Sequence, residues 1–432
     1  MKRILLFGAG KSATCLIRYL IREIASRDWE LVVAENNLAL AQSKIGMSTR
    51  ARAVALQVEN EQERELLIRE ADIVISLLPP ALHYLVAVSC VKWDRDLLTA
   101  SYQDAAIKAL EPAIREKGLL FLVEMGLDPG IDHMSAMQLI HRIREKKGRV
   151  LSFRSHTGGL VAPESDDNPW HYKISWNPRN VVLAGSAGAR YKEQGRIVSR
   201  EYLDLYTHCE QVGIEGIKNN LCWYPNRDSL SYIPVYGLEE AETFIRTTLR
   251  YPDFCKGWAG IVQAGLTDDK IALPVSPGGG PLMFADWSAP ILPYVNSGNR
   301  QQLEFLGLWD KTPVPAEAKV SADVLQHLLE TRLAMAPRDK DMIVMLHEIT
   351  YTVEGVVHQE NSSLIVTGED PLHTAMAKTV GLPLGIAAKL ILEGKMKRLT
   401  GLHIPILPEI YDPVLRELAE EGIRFKEKQW AL

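Results

Sequence analysis

Arg3-Ile-Leu-Leu-Phe-Gly-Ala-Gly-Lys-Ser-Ala13 reads as a short apolar strand, Arg3 to Phe7, running straight into a turn of the form G-x-G-x-x-A. Ala13, Leu16, Ile17, Leu20, Ile21 and Ile24 then recur at helical spacing. Glu30 to Glu35 is a second apolar strand, ending in an acid 22 residues past Ala13. That is close to the separation of about 20 at which a dinucleotide-binding βαβ unit places its ribose-binding carboxylate. In such a unit Gly8 makes the tight turn, Gly10 lets the backbone approach a pyrophosphate, and Ala13 keeps helix and strand close. Lys11 and Ser12 complete the turn, and the free N–H groups of the helix start face the phosphates. The competing reading is a glycine turn in some other α/β protein. The acid at Glu35, in strand–turn–helix–strand context, makes that reading the weaker one. A carboxylate at Glu35 accepts from the ribose hydroxyls and repels a 2′-phosphate, so NAD is favoured over NADP. Lys44 and Arg50 are cations near enough in sequence to oppose it, and a solvated strand end is the bland alternative.

More βα units follow. Ala51 to Val58 reads as a strand, Glu61 to Glu70 as a charged helix, and Asp72 to Leu78 as a buried strand stopped by Pro79-Pro80. His83 opens the next helix, and Leu97 to Tyr102 is a further strand ending in two hydroxyl residues. Open α/β sheets bind ligands at the carboxyl ends of their strands, which adds Ser76, Leu77 and Ser101 to the cofactor-binding set. Leu119 to Val123 is the next apolar run, and it leads into Glu124-Met-Gly-Leu-Asp-Pro-Gly-Ile-Asp-His133. Asp128, Asp132 and His133 then stand at a strand's carboxyl end, around two glycines and a proline. For Asp132 alone, the simplest role is the N-cap of the helix that follows. Tyr102 reads equally as a packing residue or a ligand contact.

Beyond this seam the pattern changes. Arg149 to His156 reads as an edge-like strand of alternating polarity. Thr157 to Trp176 is a long segment of turn residues, aromatics and charges, and long irregular segments in compact domains are usually functional. Within it Tyr172, Lys173 and Ser175 alternate with Ile174 as if one strand face were polar. Trp223 to Asp228 is another polar knot, containing Asn226 and Arg227. Glu242 to Tyr251 has helical spacing, with Arg246 and Arg250 four apart on one face. Guanidinium forks suit carboxylates. Ser276 to Gly280 is a glycine-rich turn lacking the lysine and hydroxyl of a phosphate loop. Asp341 to Leu346 and Ser363 to Val366 read as closing strands. Thr374 to Lys389 reads as a helical region interrupted by Gly381 and Pro383, and Glu409 to Lys428 as an amphipathic helix returning to the first domain.

Composition excludes several classes. A net charge of −5 gives no general attraction for nucleic acid or anionic membrane. No apolar run reaches the roughly 18 residues of a membrane span. The first residues read as a strand and not as a signal peptide. Five scattered cysteines, never paired as C-x-x-C, argue for a reducing compartment and a cytoplasmic location. The histidines show no close metal-binding spacing, so no metal is expected.

Taken together, the glycine turn, Ser101-Tyr102, Glu124 to His133, Gly158-Gly159 to Trp176, Tyr224 to Ser229, Glu242 to Tyr251 and the Thr379 to Pro383 region resemble the glutamate-forming saccharopine dehydrogenase family, also called saccharopine reductase. The resemblance covers essentially the whole chain. It implies an α/β fold: an N-terminal Rossmann dinucleotide-binding domain completed by the C-terminal tail, with an inserted α/β substrate domain built on a mixed sheet. The expected divisions are 1–127 for the Rossmann domain, 128–370 for the substrate and catalytic domain, and 371–432 for a helical segment returning to the first. The implied reaction takes saccharopine, NAD(P) and water to glutamate, 2-aminoadipate 6-semialdehyde and NAD(P)H, or the reverse, in lysine metabolism. The substrate carries three carboxylates. By motif match Arg227, Arg246 and Lys173 are assigned to them, with Asn226, Tyr172 and Ser175 as polar neighbours. Asp128 and Tyr102 are the candidates for acid–base work, with Asp132 and His133 behind them. A homodimer is the oligomer the class suggests.

Two departures matter. Fungal members of the family have a cysteine where this chain has Thr157, so a catalytic part for that thiol does not carry over. Members using NADP tend to carry arginine near the Glu35 position, whereas an acid there resembles the NAD-using branch. The rival enzyme is a carboxynorspermidine or homospermidine type polyamine enzyme, which needs an acidic pocket. The rival of another class is a catalytically silent NAD-binding scaffold.

Overall fold

The computed structural model describes residues 1–432 except His208, Pro277, Gly278, Lys397 and Arg398. The glycine-rich turn at 276–280 falls on two of these and so lies outside the described residues. The chain forms two units, Met1–Arg142 with Leu372–Arg424, and Ile143–Pro371 with Phe425–Leu432.

The strands, in chain order, begin with β1 (Lys2–Phe7), β2 (Trp29–Glu35), β3 (Ala51–Ala55), β4 (Ile73–Ser76), β5 (Asp96–Thr99) and β6 (Leu120–Leu122). Next come β7 (Arg149–Val161), β8 (Ala189–Glu193), β9 (Arg196–Arg200), β10 (Glu210–Val212), β11 (Leu221–Pro225) and β12 (Thr243–Arg250). The last four are β13 (Asp341–Val353), β14 (Val356–Thr367), β15 (Gly401–His403) and β16 (Lys426–Ala431).

The first unit is built on a seven-stranded sheet in the order β15-β6-β5-β4-β1-β2-β3. Every pair is parallel. Strands of such a sheet are covered on both faces by helices, which is why they read as continuous apolar runs. Ile4, Leu5 and Leu6 of β1 and Ile73, Val74 and Ile75 of β4 are all fully buried. The helix Ala13–Ala25 turns Leu16, Ile17, Leu20 and Ile24 inward. The C-terminal part completes this unit: β15 pairs with β6, and the helix Ala375–Leu392 packs on helix Ala13–Ala25 and on β4 and β5. Gly381 and Gly385 lie against Leu16 and Tyr19. The helix Ala375–Leu392 runs unbroken through Gly381 and Pro383, contrary to the interruption expected there. It is also long and apolar enough to cross a membrane, contrary to the absence of such a run expected from the sequence; its apolar residues are mostly buried inside this unit.

The second unit carries a nine-stranded sheet with the path β10-β11-β12-β7-β13-β14-β16, and β8 joins β12 to β9. β12 runs parallel to β7, and β13 antiparallel to it, so the sheet is mixed. Two local readings are corrected here. β7 is a central strand and not an edge. Its central His156 is satisfied by neighbouring strands: Nδ1 bonds Thr247 Oγ1 at 2.7 Å and Nε2 bonds Glu348 at 3.0 Å. The stretch Thr243 to Arg250 is a strand, not a helix. Its threonines, phenylalanine and isoleucine favour a pleated, half-buried surface, and a four-residue spacing keeps Arg246 and Arg250 on one face in either geometry.

The domain boundaries also shift. By contacts the first compact unit runs to Arg142, within the helix Ile131–Glu145, and takes up Leu372–Arg424. The tail is not one helix. Pro408–Glu420 is helical and belongs to the first unit, whereas β16 pairs antiparallel with β14 in the second.

Candidate functional site

The glycine turn has the geometry a dinucleotide requires. Gly8 sits at φ +96°, and a Cβ there would lie 2.7 Å from the carbonyl oxygen of Leu77. Gly10 borders open space, with no atom within 4 Å of where a Cβ would be, so a phosphate can approach its backbone. Ser12 caps the helix Ala13–Ala25 without a side-chain bond to its first turn. Glu35, at the end of β2, accepts the Ala9 N–H at 2.7 Å. Lys44, weighed from the sequence only as a cation opposing Glu35, also belongs to this group. Lys44 donates to the Gly10 carbonyl at 2.5 Å and to Thr14 Oγ1 at 2.8 Å. Burial depresses its ammonium to about 8, against the opposing pull of Glu35. These residues fit a dinucleotide.

At the ends of β4 and β5 the hydroxyls are tied together. His83 Nδ1 bonds Ser76 Oγ at 2.8 Å and its Nε2 bonds Ser101 Oγ at 2.7 Å. Ser76 is fully buried, so its hydroxyl serves His83 and does not face a ligand. Leu77 enters the site through its carbonyl, against Gly8. Burial lowers the His83 imidazole to about 4, with Asp104 pulling weakly the other way. The unfolded chain, at about 6.5, therefore takes this proton first as the pH falls. The stability that neutral His83 contributes is complete above about pH 6.5 and is lost as the pH drops towards 4, a loss of up to about 3 kcal/mol. Chemical denaturation of wild type and His83→Gln at pH 7 and pH 4.5 checks this: the wild type should lose more stability than the variant over the interval. Equal losses would assign the acid sensitivity to other groups.

The segment after β6 gathers the predicted acid–base residues. Tyr102 donates its hydroxyl to Asp128 Oδ1 at 3.0 Å, and both are partly buried. Asp132 is not the N-cap; it lies in the first turn of the helix Ile131–Glu145, and its carboxylate accepts the Gly130 N–H at 2.6 Å. Gly130 has φ +146°, with the Gly126 carbonyl 2.1 Å from the position of a Cβ, so only glycine passes there. His133 is fully buried and bonds Glu124 Oε2 through Nε2 at 2.8 Å; its Nδ1 lies 3.8 Å from Asp132. Glu124 was missed as a site residue. The one signal for it was an acid at a strand end beside a glycine turn.

In the second unit, three of the proposed substrate residues come together. Asn226 and Arg227 follow β11, and the Asn226 N–H donates to the Arg246 carbonyl on β12 at 2.8 Å. Arg227 is exposed, with φ +51°. Arg246 is buried, and its guanidinium lies over the Tyr232 ring at 4.5 Å. The other three have different company. Lys173 is buried between Asp339 at 2.6 Å and Asp167 at 2.8 Å. Burial alone would depress its ammonium, but the two carboxylates outweigh burial and raise it. Tyr172 is a core residue packed on Phe254 with ring centroids 5.0 Å apart, its hydroxyl accepting the Trp176 indole N–H at 3.1 Å. Ser175 is buried. Arg250 is buried over Tyr172 and Phe254 at 5.3 and 5.4 Å.

A parallel sheet with this glycine turn and acid, followed by a second unit on a mixed sheet, defines a two-unit, dinucleotide-binding α/β protein. The chain belongs to the saccharopine dehydrogenase family. The family's NADP binding domain model matches residues 4–122, and its C-terminal domain model matches residues 126–423. The mitochondrial alpha-aminoadipic semialdehyde synthase of Bos taurus is 34% identical over 98% of this chain. That match spans 47% of the bovine protein, so the chain covers about half the length of such relatives. The NADP(+), L-glutamate-forming saccharopine dehydrogenase of Saccharomyces cerevisiae is 33% identical over 99% of both chains. The solved apo structure of the S. cerevisiae L-Glu-forming enzyme superimposes with a TM-score of 0.87 at 32% identity, covering both chains fully. A homospermidine synthase from Legionella pneumophila solved with NAD shares the fold alone, with a TM-score of 0.56 at 9% identity, covering 100% of this chain and 91% of that one. The cofactor is accordingly a nicotinamide dinucleotide.

Proposed function

We propose that this chain oxidises the secondary amine of saccharopine with a nicotinamide dinucleotide and water, giving glutamate and 2-aminoadipate 6-semialdehyde, or runs the reverse, in lysine metabolism. The observation that carries the reading is the Tyr102–Asp128 hydrogen bond at the carboxyl end of the sheet bearing the glycine turn. Full-length likeness to the fungal enzyme supports it. The bound nicotinamide supplies the acceptor for the hydride. The chain's own residues handle protons and charge. Asp128 Oδ1 takes the proton that the substrate nitrogen must lose for its C–N bond to become an imine and releases it to solvent, as the proton the overall oxidation yields; the regenerated carboxylate then takes the proton of the water that adds to the imine carbon. Tyr102 O–H orients that carboxylate. The C–N bond then breaks, and the proton returns to the departing glutamate amine. Arg246 and Arg227 are the residues that the family's motif assigns to substrate carboxylates, a role that suits guanidinium groups. Lys173 and Tyr172 leave this set because their polar groups are held inside the second unit.

For the cofactor, the reading is that Glu35 favours NAD. A carboxylate has about four acceptor sites, so bonding Ala9 leaves room for the ribose diol. The two cations weighed against it are engaged: Lys44 with the glycine turn, and Arg50 with the carbonyls of Ile24 and Arg27. The opposing consideration is that the fungal relatives are named for NADP(+). One assay tests both levels. Formation of reduced dinucleotide is followed with saccharopine and with a polyamine adduct, using NAD and NADP in parallel. The expected result is turnover with saccharopine alone, at a higher kcat/KM with NAD. Turnover of the polyamine, or of neither, would remove the reading; a preference for NADP would remove only the role given to Glu35.

A further inference from the structure

Glu124 is the last stop of the apolar run before the site, yet its backbone is left-handed, at φ +58°. A long side chain rarely adopts that conformation unless its surroundings impose it. Here the surroundings are specific. The Glu124 N–H donates to the Ser101 carbonyl at 3.1 Å, and the Met125 N–H donates to the Thr99 carbonyl at 3.0 Å. The side chain then turns back, so that Glu124 Oε1 accepts the Gln103 N–H at 3.0 Å. The Ser101 carbonyl belongs to the peptide before Tyr102, and the Gln103 N–H to the peptide after it. One residue thus holds both peptide planes that flank Tyr102, and with them the direction in which its ring leaves the chain. The other carboxylate oxygen is anchored by the buried His133 at 2.8 Å. A carboxylate only accepts, so His133 carries its ring hydrogen on Nε2.

We propose that Glu124 is a positioning residue for the reaction: through the two peptides around Tyr102 it sets the distance and angle at which the Tyr102 hydroxyl meets Asp128. Glu124 is itself buried and acts through Tyr102. The inference rests on the acid–base reading of Tyr102 and Asp128 given above. Replacing Glu124 with glutamine keeps the size of the side chain but leaves one accepting oxygen for two donors, Gln103 N–H and His133 Nε2–H. Either Tyr102 or the anchor is released.

The test is a double-mutant cycle on the full chain, with saccharopine and the preferred dinucleotide. Glu124→Gln should lower kcat by on the order of tenfold or more, as expected for a misplaced catalytic group, with the KM for the dinucleotide nearly unchanged. Tyr102→Phe should also lower kcat. The combined variant should be no slower than Tyr102→Phe alone, within about twofold, because residues acting as one unit are not additive. If Glu124→Gln does not fold, as judged by its thermal transition, His133→Gln replaces it in the cycle with a smaller loss and the same lack of additivity. Losses that multiply would overturn the assignment, since a merely structural Glu124 acts independently of the Tyr102 hydroxyl. So would an unaffected Tyr102→Phe. An unaffected Asp128→Asn would instead remove the acid–base reading itself, so the two failures are distinguishable.

Discussion

Asp128→Asn should lower kcat by on the order of 10²- to 10⁴-fold, the contribution of a well-placed general acid or base, while dinucleotide affinity stays within about twofold. The substitution is nearly isosteric. An asparagine can still present an oxygen to the Tyr102 hydroxyl, which now stands 3.0 Å from Asp128 Oδ1. What it cannot do is accept a proton. The reaction needs one proton taken from the amine and one taken from water, so the loss falls on turnover. In the reading proposed above, dinucleotide affinity rests on the turn Gly8 to Ala13 and on Glu35, none of which is altered. The measurements are steady-state kcat with saccharopine and a fluorescence titration of reduced dinucleotide. An unchanged kcat would take Asp128 out of the chemistry; a collapse of dinucleotide binding would show that the substitution disturbs the fold around β6.

Lys173→Met should destabilise the protein by about 3–5 kcal/mol, the range for breaking a buried ion pair by removing one partner. The penalty falls on Asp339 and not on Asp167. The Asp167 side chain is 67% exposed and water can replace the lysine, whereas the Asp339 side chain is 12% exposed and has the Ala336 N–H at 2.6 Å as its remaining partner. Removing Asp339 as well, in Lys173→Met with Asp339→Asn, should recover much of the loss, since the uncompensated charge is then gone. Denaturant unfolding of the three proteins checks this. A Lys173→Met variant of normal stability but with a strongly raised KM for saccharopine would return Lys173 to the substrate.

The first unit was legible because its rules are local. A parallel sheet buried on both faces writes each strand as an apolar run closed by turn residues, and the fingerprint from Gly8 to Glu35 lies within one βαβ unit. The second unit was less legible for two physical reasons. Arginines four residues apart fit a helix and a strand alike, which is how β12 came to be read as a helix. Polar residues bonded across strands, such as His156 to Thr247 and Glu348, imitate an exposed edge in the middle of a sheet. The site divides the same way. Tyr102 and Asp128 are found by asking what stands at the ends of neighbouring strands. Glu124, His83 and the Lys173–Asp339 pair depend on which atoms meet across the fold, and the separation of Lys173 from Asp339 in sequence leaves no spacing to read.

Neither sheet is a continuous length of polypeptide, because β15 joins the first and β16 the second. On the ribosome, the stretch 143–371 has all but one of its strands in hand before the leading sheet receives its seventh. The first sheet therefore lacks its seventh strand until residues 401–403 have been made, long after its other six. Until then the side of β6 that β15 covers is an unpaired strand edge, the kind of edge that invites pairing with another chain.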